Sequence, residues 1–175
     1  MDQRTLTDDE IHKLLSEPKE LPGNWEKRMK PRAKANVAFL QRELDVQGKD
    51  NTAFRVILRQ SALNILDFSI ILMVIDADGA VHRLVRFNGR HPSAHTNKWE
   101  RDRVKKSKAK HTFRNVFHIH TATERYQAVY EIDGYAEVTT AYNSFESALA
   151  LFVKSNGFVT PDAASQDPNQ PGLFP

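Results

Sequence analysis

The sequence predicts an α+β fold: a single antiparallel sheet with a packed C-terminal helix and a short N-terminal helix. Three observations carry that expectation. Turn-separated stretches of two-residue periodicity occupy the chain from Ala35 to about Thr140, a strongly amphipathic stretch from Ser144 to Lys154 follows them, and Thr7 with Glu10 forms a capping-box signature near the start. Strands grouped together and then a helix, with no βαβ alternation, are the mark of this class.

Ile11, Leu14 and Leu15 give the first helix its apolar stripe behind the Thr7 cap, and Pro18 ends it. From Pro18 to Pro31 the prolines and Gly23 predict a loop with at most one helical turn, anchored by Trp25 and Met29. Val37, Phe39 and Gln41 then share one parity, Gly48 to Asn51 reads as a turn, and Phe54 to Leu58 as a strand. Ile65 to Ile75 is apolar on both parities, which predicts a central strand covered on both faces. Asp76-Ala77-Asp78-Gly79 is a hairpin turn, because Asp and Gly tolerate positive φ, and Val81 to Phe87 pairs back across it.

Asn88 to Lys110 reads as an irregular insertion, a length usually reserved for functional or disordered loops. Phe113 to His120 and Tyr126 to Ile132 read as two further strands, the second in competition with a helix opening between Thr121 and Tyr126. Asp133-Gly134 turns the chain into a short strand, Tyr135 to Thr140. The last helix buries Phe145, Ala148, Leu149, Phe152 and Val153, with Asn143 or Ser144 as its cap and Gly157 as its stop. The predicted organisation is therefore an N-terminal helix and basic loop (1–34), an α+β domain (35–158) carrying a basic insertion (96–112), and a flexible tail (159–175).

Composition narrows the chemistry. The 175 residues suit one domain, and a 40% hydrophobic fraction with ten Phe supplies one core. The chain has no cysteine, so disulfides, thiolate metal sites and a cysteine nucleophile are excluded. The acidic opening from Asp2 to Glu10 predicts no signal peptide, and the longest apolar run, Phe68 to Ile75, is too short to span a bilayer. A cytoplasmic location without a membrane partner is the expectation. The formal charge of +3 is modest but uneven: seven Lys or Arg against two acids lie between Lys98 and His111. That asymmetry permits a phosphate-bearing partner.

Four of the seven histidines form two close pairs. His91 and His95 stand in the insertion, and His118 and His120, two apart on a strand, share one face. Imidazoles transfer protons near neutral pH and a pair divides the roles of acid and base. With Arg86 or Arg125 holding a phosphate and Tyr126 orienting it, the set predicts metal-independent phosphodiester cleavage needing no cofactor. The same imidazoles have spacings that zinc or nickel accepts. Ile119, pointing the other way, reads as core, which puts the two strand histidines on the exposed or layer-facing side. Trp99, Arg101, Arg103, Lys105, Lys106, Lys108 and Lys110 form a second candidate, a basic run with one aromatic for salt-sensitive nucleic-acid binding.

Arg86-Phe87-Asn88, then His91 and His95, then His118-Ile119-His120 together resemble the pattern of TumE-type toxins of bacterial toxin–antitoxin pairs, over about Leu66 to Gly157. The passage Phe117 to His120 with Glu124-Arg125-Tyr126 is also similar to small bacterial α+β proteins with a His-x-His strand. The resemblance implies a toxin-like action on RNA or translation, opposed by an antitoxin-like protein partner. The insertion before His118 is longer than in that pattern, and the first sixty residues have no counterpart in it. The rival reading is a non-enzymatic nucleic-acid or protein-binding module of bacterial or phage origin. A pocket in which the histidines meet favours the enzyme; histidines scattered over separate faces favour the binder.

Overall fold

The computed structural model describes residues 4–31, 38–103 and 111–160. Helix α1 (Asp8–Ser16) starts on the predicted box, Thr7 accepting from the Glu10 amide and Glu10 reaching back to the Thr7 amide. β1 (Lys19–Glu20), a single helical turn α2 (Trp25–Arg28) and β2 (Lys30–Pro31) follow. Four long strands come next: β3 (Phe39–Gln47), β4 (Ala53–Ser61), β5 (Phe68–Ile75) and β6 (Val81–Asn88). The insertion holds β7 (Ala94–Thr96), α3 (Lys98–Arg103) and β8 (Thr112–Arg114). β9 (His118–Thr121), α4 (Glu124–Gln127), β10 (Tyr135–Val138), α5 (Phe145–Ser155) and β11 (Phe158–Val159) complete the chain.

The fold is α+β, but the expectation of a single sheet with two helices is corrected: the described residues form three sheets and five helices. The main sheet has seven strands in the order β10-β9-β6-β5-β4-β3-β2, all antiparallel. A parallel pair, β1 with β11, ties the exit of α1 to the exit of α5. The third sheet is the β7–β8 hairpin. Its strands have only three residues each, too few for two-residue periodicity to reveal.

Other local expectations shift for local reasons. Phe113 to His120 is not one strand, because Asn115 takes a left-handed φ of 53° and breaks it between β8 and β9. Tyr126 to Ile132 is not a strand either; the helical alternative holds, with α4 opening at Glu124 and ending at Gln127. Strand β5 starts at Phe68 rather than Ile65, since Ser61 and Asn64 accept from the amides of Leu63, Asn64 and Leu66 and hold a turn. That turn leaves Leu63 and Ile65 exposed.

One face of the sheet carries Phe54, Val56, Phe68, Ile70, Leu72, Val74 and Phe87, all buried in the main core. Helix α5 covers this face through Phe145 and Phe152, each edge-on to a sheet phenylalanine (Phe68 and Phe87) at 5.5 Å. The other parity of β4 and β5 is only half-buried, so the central strand is not covered on both faces as expected. A bulge opposite Leu72 and Met73 lets β6 bury both Leu84 and Val85.

Lys19 is fully buried beneath α1, where Nζ donates to the carbonyls of Leu14 (2.7 Å), Leu15 (3.2 Å), Glu17 (2.8 Å) and Asn156 (3.1 Å). It thereby satisfies carbonyls that a helix end leaves without partners and places a cation at that end. Burial lowers its pKa to about 8.

Candidate functional site

The four histidines meet. His91 lies edge-on to His118 at 5.1 Å between ring centres, His95 lies 5.9 Å from His118 and 4.5 Å from His120, and His118 and His120 are 5.0 Å apart. The insertion makes this happen. The β7–β8 hairpin folds over β9 on the side of the sheet opposite α5, with Phe113 ringed by His95 and His118 at 5.1 Å each. Asn97 pins it: the side-chain amide donates to the Ala136 carbonyl (2.8 Å) and accepts from the Ala136 amide (2.9 Å). One side chain thus takes the place of a strand residue along the outer edge of β10.

This cover closes the second face of β9, the layer-facing alternative, while Ile119 packs against the main core on the other face as expected. His118 and His120 are each 2% exposed, whereas Ile119 is only half-buried. Ile119 stays in register with Phe87 and Ile70 on the core face, and the polar parity of β9 lies beneath the insertion, so this end of the sheet is covered on both sides. His91 and His95 remain half-exposed at the rim.

Burial fixes the proton positions. His118 Nδ1 must donate to the Val116 carbonyl (2.8 Å), which leaves Nε2 to accept from the Asn88 amide (3.1 Å). His120 Nδ1 likewise donates to the Asp133 carbonyl (2.8 Å). Asn97, oriented by Ala136, turns its oxygen to His95, so His95 Nε2 carries the proton (2.9 Å). Desolvation pushes the pKa of His118 down to about 4 and that of His120 down to about 2, with the Arg86 charge adding to both, and desolvation also lowers that of His95. At neutral pH these three rings are uncharged.

Arg86 supplies the charge. Its NH2 group sits 3.1 and 3.3 Å from the two ring nitrogens of His120. With Nδ1 carrying the proton given to the Asp133 carbonyl, only Nε2 has a lone pair to accept from Arg86, and the 3.1 Å approach to Nδ1 is a charge–dipole contact. Asp133, 1% exposed, lies 3.3 Å from Arg86 and 3.4 Å from Arg83. The pairing is loose: the Arg86-side carboxylate oxygen and Arg86 Nε are both buried without a hydrogen-bond partner among the described residues. Burial lowers the pKa of Arg86, Asp133 and Glu131 raise it, and Arg83 and Arg59 lower it.

Arg125 and Tyr126 are placed elsewhere. Both bind Glu100 of α3 at 2.5 Å, Arg125 also lies over the Trp99 ring (5.0 Å), and Tyr126 accepts from the Trp99 amide. Among the described residues no hydrogen bond or ring contact joins them to the histidines. Trp99 is thereby partly covered, and Arg101 pairs with Asp102 at 2.6 Å, while Arg103 is exposed at the end of α3. Lys105, Lys106, Lys108 and Lys110 lie outside the described residues, as does the tail from residue 161.

No group of three or more His, Asp or Glu side chains among the described residues is arranged to hold a metal ion. His118, with both ring nitrogens engaged, has no lone pair to offer one. Asp133 and Asn97, which position the cluster, escaped the sequence reading. Asp133 carries the signal of an ordinary Asp-Gly turn, and Asn97 carries none.

Fold and site together define a small α+β domain with a histidine-rich cluster beside an arginine–aspartate pair. Comparison of the chain with protein-family models, curated proteins and solved structures finds no match to any of them. Among the described residues no helix is long and apolar enough to cross a membrane.

Proposed function

We propose that the domain is a toxin-like protein acting on RNA in the cytoplasm, by metal-independent phosphodiester cleavage at the histidine cluster. The observation that supports this most is the convergence of His91 and His95 with His118, His120 and Arg86. The likeness to the TumE-type pattern supports it too, and with it an antitoxin-like protein as partner.

In this reading His91 and His95, at the rim, do the proton transfers. One takes the proton from a ribose 2′-hydroxyl, whose oxygen attacks phosphorus. The bond from phosphorus to the 5′-oxygen breaks, and the other imidazole protonates that leaving oxygen, giving a 2′,3′-cyclic phosphate. Arg86 offsets the charge growing on the phosphoryl oxygens. His118 and His120 are positioning residues, neutral and hydrogen-bonded, which set the His95 and Arg86 side chains. The test is cleavage of single-stranded RNA with EDTA present, for the wild type, His91→Gln and His95→Gln. Cleavage by the wild type alone supports the proposal.

A second reading draws on one observation. The ring nitrogens of His118 are both engaged within the protein, as befits a polar layer that orders the fold. A non-enzymatic nucleic-acid or protein-binding module would be built this way, and it predicts equal background rates in all three proteins.

A further inference from the structure

The face of the main sheet opposite α5 carries a polar row that the sequence reading did not single out, with Arg59 and Ser69 half-exposed and Gln41, Asn88 and His118 buried. Strand register aligns Gln41 with Arg59, Arg59 with Ser69, Ser69 with Asn88, and Asn88 with His118. In the adjacent row Arg86 lies beside Ile71 on one strand and His120 on the other. Arg59 stands three strand spacings, roughly 14 Å, from the histidines on β9.

Three features mark Arg59. Its guanidinium carbon lies over the Phe39 ring, 3.9 Å from the ring centre, a cation–π contact that holds the group in place. Its Nε is buried without a hydrogen-bond partner, and among the described residues it forms no ion pair. It is also near enough to Arg86 for the two charges to oppose one another. Arg86 Nε is likewise a buried donor without a partner. Asp133 and Glu131 lie at the Arg83–Arg86 end of this face, and neither forms an ion pair with Arg59 among the described residues. Glu43, the carboxylate of this face next to Gln41, accepts from the Gln41 amide at 2.7 Å.

Two like charges held on one face, with unmet donors and the Ser69 hydroxyl between them, form an anion site, since an oxyanion satisfies the donors and relieves the repulsion. A planar guanidinium fork suits a phosphate oxygen pair. We propose that Arg59 and Arg86 form an oxyanion subsite on the open sheet face, which binds a phosphodiester group of single-stranded nucleic acid next to the one at the histidines. The inference rests on the RNA-directed reading for its ligand, and its geometry is that of a strand lying across β4, β5 and β6 toward His91 and His95.

The experiment uses a fluorescent eight-nucleotide 2′-O-methyl RNA, which has no 2′-hydroxyl to react, so binding is measured apart from cleavage. Anisotropy titrations of the full chain across a salt series compare wild type, Arg59→Gln and Arg59→Lys. Arg59→Gln should weaken binding about tenfold and reduce the salt slope by about 0.7, the value for one phosphate contact on a single strand. Arg59→Lys should keep the slope and lose about threefold in affinity, and it carries the test if the Gln variant does not fold. Affinities within twofold of wild type and an unchanged slope in the folded variants overturn the subsite. Loss of cleavage with an intact Arg59 effect would overturn the histidine chemistry alone.

Discussion

Lowering the pH should unfold this domain through its buried histidines. His118 and His120 start from an ordinary value of 6.5 and are held at about 4 and about 2 in the fold. Both pKa values are depressed, so the unfolded chain binds the protons more tightly. The stability tied to these rings is therefore fully present above about pH 6.5 and is lost as the pH falls from there through the folded values. At pH 5 each ring is 1.5 pH units below 6.5 and still neutral in the fold, which at about 1.4 kcal/mol per unit costs about 2 kcal/mol per ring. The two together cost about 4 kcal/mol, a large share of the roughly 5–15 kcal/mol that a domain has. His95, lowered as well, acts in the same direction. Urea melts at pH 7, 6 and 5 measure the effect, with a slope approaching about 3 kcal/mol per pH unit between 6 and 5. His118→Gln should remove about half of that slope. A urea midpoint that stays level from pH 7 to 5, or ring protons that titrate near 6.5, would refute the reasoning.

Three further outcomes are expected. Phe152→Ala should destabilise the domain by roughly 3–5 kcal/mol, because the ring is 1% exposed and packs on Phe87 and Phe158; a difference below about 1 kcal/mol in urea melts would place it outside the core. Lys19→Met should cost roughly 2–4 kcal/mol by leaving four carbonyls of buried turns without a donor, and amide exchange at the α1 exit should quicken; unchanged exchange there would deny Lys19 its capping role. Changing Lys105, Lys106, Lys108 and Lys110 together to Ser should weaken RNA and DNA binding alike and flatten its salt dependence. An unchanged salt titration would assign that run to another task.

What the sequence made legible was what local chemistry decides. Thr7 with Glu10, Asp76 to Gly79, and Ser144 to Gly157 mark their own starts and stops, and the structure puts α1, the β5–β6 turn and α5 there. The pairing of the histidines on one strand face was legible for the same reason. Their burial was not. Whether the histidine face of β9 is covered depends on where the hairpin of residues 94–96 and 112–114 lands, and that is a tertiary fact. Alternation points Ile119 into the main core and the histidines the opposite way, without saying whether that opposite face is open or covered. Asp133 and Arg59 were passed over because a turn aspartate and a strand arginine are ordinary in sequence. They become noteworthy only when register sets one beside Arg83 and Arg86 and the other across from Ser69.

The measurement that bears most directly on the proposed chemistry is the rate of single-stranded RNA cleavage in EDTA, read for wild type, His91→Gln and His95→Gln at matched folded concentration. The account predicts a 2′,3′-cyclic phosphate product, a bell-shaped pH–rate profile, and a loss of about 100-fold or more in each variant with RNA binding retained. Equal background rates in the three proteins would contradict it.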